Sequence, residues 1–139
     1  MTSTTEQRNC EAECVRLCND FAYFADNREY EKLVALFAED GTFDRRGEVL
    51  RGRAAIMKAM LARPADLITR HACTNIRIDL QADGTANGTG YMMLFHGSAS
   101  GLAAGTLPSC STTIAEYRDV YVATQEGWRI RSRVTTIVF

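Results

Sequence analysis

Two histidines carry the chemistry most readily associated with this chain, because imidazole titrates closer to neutral pH than any other unperturbed side chain. His71 lies within residues 69–75, at the start of the first long stretch with β-strand character, and His96 ends the next such stretch. A structural role is the commoner one for a histidine in a strand, and that alternative stays open. His71 is the first candidate for a general base, and His96, beside a flexible segment, is a candidate for a second acid or base.

Arginine side chains could hold the negative charge that develops when a proton is removed from a substrate. Arg129, Arg131 and Arg133 alternate in the last predicted strand, opposite an alternating set in the preceding strand that includes Asp119. A solvated ladder of cross-strand pairs would account for these arginines without catalysis. Both roles stay open for Arg133.

Side chains that could form a pocket wall make a third set of candidates. Buried tyrosines mostly satisfy their hydroxyls locally, but three could donate a hydrogen bond to a substrate carbonyl: Tyr23, Tyr91 and Tyr117. Asn75 shares a strand face with His71 if no bulge intervenes, and it could then orient a ligand. Met92, Met93, Leu94 and Phe95 are expected in the pocket wall or in the core, with Met93 and Phe95 as candidates for contact with a substrate.

The cysteines do not indicate a metal site. Their odd number and the lack of an export signal favour reduced thiols, at Cys10, Cys14, Cys18, Cys73 and Cys110. The first three recur every fourth residue in an apolar helical stripe, which favours packing over zinc binding. The two histidines lie far apart, and no glycine loop opens a helix. We therefore expect no metal and no other cofactor.

Composition excludes several classes of protein. A chain of 139 residues, 46% apolar and 24% charged, fits a single globular domain over residues 1–139. The formal net charge of -1, without a basic run, argues against a nucleic-acid partner. No apolar run approaches a membrane span or a signal peptide, so we expect a cytoplasmic protein with no membrane contact.

Apolar residues at helical spacing predict three helices in the first half of the chain, over residues 6–25, 26–38 and 52–62. Asp26 begins an Asp-x-x-Glu motif that is typical of a helix cap and would start the second helix. A hairpin-like segment over residues 42–50, bending at Gly47, separates the second helix from the third.

The second half of the chain changes to β-branched and aromatic runs separated by turns. They predict four antiparallel strands and one flexible loop, over residues 68–81, 85–96, 97–108 (the loop), 110–123 and 128–139. Gly88 and Gly90 predict bends or bulges in the second strand. This order indicates an α+β fold in which helices cover one face of a strongly curved, mainly antiparallel sheet. The resulting cup would hold a small-molecule ligand in an apolar pocket.

Apolar alternation in the last two strands suggests an exposed sheet face that associates with a second copy of the chain. The residues concerned are Ile114, Val120, Val122, Trp128, Ile130 and Val134. We expect a homo-oligomer, most simply a dimer.

Order and motifs together resemble the SnoaL-like branch of the nuclear transport factor 2-like superfamily. The resemblance covers nearly the whole chain and rests on the segments 25–30 (ADNREY), 36–43 (LFAEDGTF), 51–56 (RGRAAI), 69–71 (TRH) with Asn75, 116–119 (EYRD) and 127–130 (GWRI). It implies a cone-shaped α+β barrel of the cystatin-like type.

Within that superfamily the chain looks most like scytalone dehydratase and the hexachlorocyclohexane dehydrochlorinases. Those families use an aspartate at the end of the first helix, paired to a strand histidine, and the matching positions are Asp26 and His71. The dehydrochlorinases add an arginine in the last strand, which Arg133 matches. Scytalone dehydratase has tyrosines and a second histidine at places that hold Ala25, about Arg45 and about Met92 here.

The resemblance implies a cofactor-independent lyase or isomerase of the dehydratase type. His71 would abstract a proton from a small, mostly apolar substrate, Asp26 would orient the imidazole, and Arg133 with a tyrosine would hold developing charge. The alternative is a non-catalytic module, either a ligand-binding protein or the structural small subunit of an oxygenase complex.

Overall fold

The computed structural model describes residues 3–103 and 105–139. Its helices are α1 (Thr4–Asp26), α2 (Tyr30–Ala35), α3 (Arg53–Leu61) and the short α4 (Ser100–Ala103). Its strands are β1 (Phe37–Arg45), β2 (Glu48–Arg51), β3 (Leu67–Leu80), β4 (Ala86–Ser98), β5 (Ser111–Thr124) and β6 (Gly127–Ile137). The four strands predicted for the second half are confirmed, with ends that differ by two residues at most.

Helix α1 starts at a capping box, in which two residues each accept a hydrogen bond with the side chain from the backbone N–H of the other. The Ser3 hydroxyl accepts the Glu6 N–H at 3.1 Å, and the Glu6 carboxylate accepts the Ser3 N–H at 2.8 Å. The cysteines at every fourth position, Cys10, Cys14 and Cys18, are buried on the core side of the helix. They pack as small apolar side chains, as their spacing predicts.

Helix α2 is shorter than predicted, because it ends at Ala35 and the chain continues directly into β1. The Leu36 carbonyl accepts the Ile130 N–H at 2.8 Å, and Phe37 pairs with Ile130 in the sheet. A short apolar run cannot by itself distinguish the end of a helix from the start of a strand. The predicted helix over residues 26–38 is therefore wrong in its last three positions, where pairing to a distant strand decides the structure.

The six strands form one mixed, curled sheet in the order β2-β1-β6-β5-β4-β3. All neighbours are antiparallel except β1 and β6, which are parallel. Helices cover the concave face, where the ring of Phe21 from α1 meets those of Phe37 and Phe43 edge-on at 6.1 and 5.4 Å between centroids. The predicted α+β fold, helices on a strongly curved and mainly antiparallel sheet, is confirmed; the sheet curls into a cone without closing.

The glycines of β4 predicted bends or bulges in that strand, but the β-bulge lies in β3. The pairing register shifts between Thr74 and Arg77, and Asn75 takes a positive φ of 53°. Gly88 in β4 has a different role, because a Cβ atom there would lie 2.7 Å from the ring of Tyr121. A small residue at that position leaves room for a buried aromatic side chain.

The predicted loop over residues 97–108 contains α4 and is anchored at its start. The Ala99 N–H donates to the Asp66 carbonyl at 2.7 Å, and the Ser98 hydroxyl donates to the Asp66 carboxylate at 2.7 Å.

None of the helices in residues 3–103 and 105–139 has both the length and the apolar character needed to cross a membrane.

Candidate active site

A cavity of about 340 Å³ lies between the concave face of the sheet and the helices. Its wall is mainly apolar, with side chains from α1, β1, α3, β4 and β5: Phe21, Phe43, Met60, Met92, Leu94 and Tyr117. Both histidines of the chain, His71 and His96, line the same cavity. An apolar enclosure with a few convergent polar groups is typical of a small-molecule site.

The structure brings Asp26 and His71 into direct contact at this wall. His71 Nδ1 lies 2.6 Å from Asp26 Oδ1, and the His71 backbone N–H donates to Asp26 Oδ2 at 2.9 Å. Only 11% of the imidazole and 8% of the carboxyl side chain is exposed. The carboxylate favours the tautomer with a proton on Nδ1, so that Nε2 is left as the proton acceptor.

Asp26 does not cap helix α2, so its predicted role as a helix cap is wrong. The N-cap residue of α2 is Glu29, which makes no capping hydrogen bond with its side chain. The turn between the two helices includes Arg28 at a φ of 58°, and this turn leaves the Asp26 side chain free to reach β3. The last residue of α1 thus joins the helix to the strand that carries His71.

Arg63 and Thr69, which sequence reasoning missed, hold the carboxylate in place. Arg63 donates to the Ala25 carbonyl at 2.7 Å and to the Thr69 hydroxyl at 2.9 Å. The Thr69 hydroxyl in turn donates to Asp26 Oδ1 at 2.8 Å. Thr69 could have been found from the sequence, because it lies two residues before His71 and shares its strand face. No sequence pattern connects Arg63 to the pair.

The hydrogen bonds to Asp26 also determine its charge state. Burial by itself would raise the pKa of the Asp26 carboxyl, since it disfavours the ionised form. The His71 ring, the His71 backbone N–H and the Thr69 hydroxyl outweigh burial and hold the pKa of Asp26 below its ordinary value. Asp26 is therefore a carboxylate at neutral pH, as an orienting partner for imidazole must be.

Strand alternation decides which part of β4 reaches the cavity. His71 pairs with Leu94 and Thr69 pairs with His96, so the even-numbered side chains of this part of β4 face inward. Met93 and Phe95 fall on the opposite face, and Phe95 is 38% exposed. Of the four residues expected in the pocket wall or the core, Met92 and Leu94 line the cavity, and the expectation that Met93 and Phe95 contact a substrate is wrong.

Of the three candidate tyrosines, the structure places one in the cavity. Tyr117 lines it and is almost fully buried, and that burial raises the pKa of the Tyr117 hydroxyl, which stays protonated at neutral pH. Tyr23 and Tyr91 are 60% and 49% exposed and do not line the cavity. Asn75 is also directed away from it, because the bulge in β3 ends the shared face with His71.

Arg133 lies behind the cavity wall rather than in it, in contrast to the predicted contact with developing charge. Its Nε and Nη2 donate to the two Asp119 carboxylate oxygens, both at 2.8 Å, and neither side chain is more than 3% exposed. Its guanidinium lies 3.9 Å from the ring centroid of Tyr117 and 4.5 Å from that of Phe21. Removing one partner from such a buried pair typically costs about 3–5 kcal/mol.

The solvated ladder of arginines is not formed either. Tyr121 pairs with Ile130 and Val120 pairs with Ser132, so that Arg131 is an extra residue in β6. This bulge changes the alternation, leaving Arg131 exposed and turning Arg133 inward. Alternation alone would have kept both arginines on one face.

In residues 3–103 and 105–139, no group of three or more His, Cys, Asp or Glu side chains is arranged to hold a metal ion. Among the side chains at the cavity wall, the Asp26–His71 pair is the strongest candidate for proton chemistry.

The family model for the SnoaL-like domain matches residues 6–134. The chain belongs to the SnoaL-like family. This match confirms the superfamily that the sequence motifs indicate, and it accounts for the curled sheet and its cavity. No curated protein matches the sequence significantly.

Solved structures share the SnoaL-like fold at low sequence identity. A candidate scytalone dehydratase from Novosphingobium aromaticivorans is 23% identical, with a TM-score of 0.78 over 91% of this chain and 82% of that one. ActVI-ORFA from Streptomyces coelicolor is 23% identical, with a TM-score of 0.75 over 91% and 95% of the two chains. A candidate aromatic ring hydroxylase from Novosphingobium aromaticivorans is 18% identical, with a TM-score of 0.81 over 99% and 93%. Identities this low establish the fold only.

The lowered pKa of Asp26 predicts how stability depends on pH. The ionised carboxyl stabilises the folded state fully above the ordinary pKa of about 3.9, and this contribution disappears as the pH falls through the lower folded value. We expect Asp26→Asn to lower the free energy of unfolding at pH 5, and the gap to wild type to shrink by pH 2.5. Urea unfolding between pH 5 and pH 2.5 measures the free energy of unfolding of the variant and of wild type, and thus the gap between them.

Asp20→Asn is the matched control, since Asp20 lies on the same helix and forms an exposed pair with Arg16 at 2.9 Å. The Asp20→Asn variant should differ from wild type in its free energy of unfolding by less than about 1 kcal/mol at every pH between 5 and 2.5. A gap between Asp26→Asn and wild type that widens below pH 4 would contradict the assignment of Asp26 as a stabilising carboxylate.

Proposed function

We propose that this protein is a cofactor-independent lyase or isomerase of the dehydratase type, acting on a small and mostly apolar molecule in the cavity. His71 would be the general base and Asp26 its orienting partner. The observation that carries this proposal is the 2.6 Å contact between His71 Nδ1 and Asp26 Oδ1 at the wall of an open cavity.

The proposed step removes a proton either from a carbon next to a carbonyl, so that the C–H electron pair passes to the carbonyl oxygen as an enolate, or from a carbon next to one that bears a leaving group, so that this pair forms a C=C bond as the leaving group departs with its own bonding electrons. His71 Nε2 accepts this proton. Nδ1 keeps its own proton and donates a hydrogen bond through it to the Asp26 carboxylate. The imidazolium then returns the proton to another carbon of the enolate in an isomerisation, or to the departing group in an elimination.

The imidazolium that forms lies beside a fixed negative charge, which stabilises it. Removal of water by the apolar wall strengthens this attraction, and a positioned base of this kind contributes about two to four powers of ten in rate.

Tyr117 is the proposed donor for the oxygen that gains negative charge. Its hydroxyl is protonated, its ring lines the cavity, and the positive Arg133 lies against the ring face. Arg133 would thus act through Tyr117 rather than by touching the substrate. This arrangement replaces the direct role that the resemblance implies for Arg133.

A non-catalytic role, as a ligand-binding module or the structural small subunit of an oxygenase complex, is the second candidate. A purely structural subunit has no need for an open interior, and here the interior holds a cavity of about 340 Å³. The ordered Arg63–Thr69–Asp26–His71 chain of hydrogen bonds also exceeds what a passive pocket requires. Both observations favour the catalytic role.

Deuterium exchange tests proton abstraction without knowledge of the natural substrate. Small enolisable ketones such as 2-tetralone and cyclohexanone are incubated with the protein in D₂O, and loss of the proton signal next to the carbonyl is followed by NMR. We expect wild type to accelerate exchange of at least one ketone, and His71→Gln to lower that rate by about 10²- to 10⁴-fold. Asp26→Asn should lower it as well, because the tautomer is no longer fixed.

Asp20→Asn serves as the matched control and should exchange at the wild-type rate. Circular dichroism and thermal unfolding establish that each variant is folded. The proposal fails if wild type accelerates no exchange, or if His71→Gln exchanges as fast as wild type.

We also propose that the outer face of the sheet joins two copies of the chain. Tyr91, Phe95 and Val134 are 49%, 38% and 37% exposed on this face. Ile130, which the sequence pattern assigned to the same face, is instead fully buried in the core. Exposed apolar side chains on one face of a sheet, here from β4 and β6, favour self-association.

Sedimentation at micromolar concentration should show a dimer for wild type and a monomer for Phe95→Arg. Tyr23→Arg is the control, because Tyr23 is exposed on α1 and not on the sheet. A wild-type protein that sediments only as a monomer would contradict the proposed association.

A further inference from the structure

Two buried polar atoms at one end of the cavity have no hydrogen-bond partner among the residues that the structure describes: Arg45 Nε and Thr135 Oγ1. Both residues line the cavity. They are also direct partners in the parallel pairing of β1 with β6, so their side chains lie next to each other. A buried polar group without a hydrogen-bond partner destabilises the folded state, and a ligand that supplies the partner would remove that destabilisation.

Arg45 is only partly neutralised by the chain itself. Its Nη2 donates to Glu48 at 2.9 Å, but the Glu48 side chain is 62% exposed. An ion pair in contact with solvent holds its partner weakly. Arg45 therefore keeps positive charge and an unused N–H for a ligand.

The balance of charge around the cavity is positive. Arg45, Arg46 and Arg63 line it, and no Asp or Glu does so within residues 3–103 and 105–139. The Asp26 carboxylate is engaged by His71 and Thr69 behind the wall. Asp44, next to Arg45 in sequence, does not line the cavity but an adjoining hollow, which shares Arg46, Thr135 and Ile137 with it, and the Asp44 carboxylate accepts the Gly47 N–H at 2.7 Å. An anionic ligand group would thus meet no opposing carboxylate inside the cavity.

The position of Arg45 and Thr135 complements that of His71. The sheet order puts β1 and β6 on one side of β5, and β4 and β3 on the other. In a curled sheet these two pairs of strands form facing walls of the cavity. Both sets of side chains line the cavity, His71 from β3 at one edge of the sheet and Arg45 with Thr135 from β1 and β6 towards the other edge.

We propose that the ligand of this cavity is an aromatic or alicyclic carboxylic acid, whose carboxylate is bound by Arg45 Nε and the Thr135 hydroxyl. Its apolar body would fill the space between this subsite and His71. This inference names a substrate class for the proposed function, on which it depends only for the chemistry at the His71 end. Binding of the carboxylate requires neither His71 nor turnover.

Matched pairs of acid and primary amide test the subsite, because they have nearly the same shape and differ in charge. Isothermal titration calorimetry is carried out with 2-naphthoate, cinnamate and indole-3-acetate, each against its amide. We expect at least one acid to bind wild type at least about tenfold more tightly than its amide, because hydrogen bonds to a charged group are stronger than those to a neutral one. Arg45→Met should remove this preference, and Thr135→Val should reduce it several-fold.

Two controls separate the subsite from general charge effects. Arg51→Met removes an exposed arginine of the neighbouring strand β2, outside the cavity, and should leave the preference unchanged. Glu48→Gln removes the exposed partner of Arg45 and should leave the preference intact or increase it. Thr135→Val keeps the size of the side chain, so it tests the subsite even if Arg45→Met does not fold.

The inference is overturned if no acid binds wild type more tightly than its amide, including the case in which neither binds. It is also overturned if the full preference survives in folded Arg45→Met or, where that variant does not fold, in Thr135→Val. His71→Gln distinguishes the two proposals, since it should keep the preference for acids while losing deuterium exchange. Loss of the preference in His71→Gln would contradict a subsite at Arg45 and Thr135.

Discussion

One carboxylate holds together the helical layer and the sheet at the place where the chemistry is proposed. Asp26 is the last residue of α1, and its two oxygens accept hydrogen bonds from the Thr69 hydroxyl and the His71 backbone, with the His71 ring at 2.6 Å. Because one of these donors is the backbone N–H of His71, Asp26 positions strand β3 as well as the His71 ring. The geometry of the imidazole is thus a consequence of how helix and sheet dock, and not of a loop that could move independently.

Arg133 and Asp119 have a comparable role deeper in the molecule. Their bidentate pair lies under the rings of Phe21 and Tyr117, which form part of the cavity wall. Tyr121 adds a hydrogen bond from its hydroxyl to Asp119 at 2.7 Å. A buried pair of this kind contributes little net stability compared with apolar packing, but it determines where the aromatic wall can lie. The proposed site therefore rests on two charged pairs, one at the wall and one behind it.

The sequence was sufficient for the fold class, for the strands of the second half and for the family, because these depend on periodicity and on motifs that cover most of the chain. It also pointed to His71, as one of only two histidines in the chain, and to the pairing of His71 with Asp26 through a resemblance and not through spacing. The inward direction of Arg133 and the outward direction of Asn75 could not be predicted, because each depends on a bulge that changes strand alternation. The strand start at Phe37 likewise depends on a partner more than ninety residues away in sequence.

The tautomer of His71 is the most direct measure of the central claim, that Asp26 orients this imidazole for use as a base. Long-range ¹⁵N–¹H correlation NMR at a pH where the ring is neutral distinguishes the two ring nitrogens. A protonated Nδ1 and a free Nε2 in wild type, with that preference lost in Asp26→Asn, is the result that the structure predicts. A neutral ring with its proton on Nε2 in wild type would contradict the account.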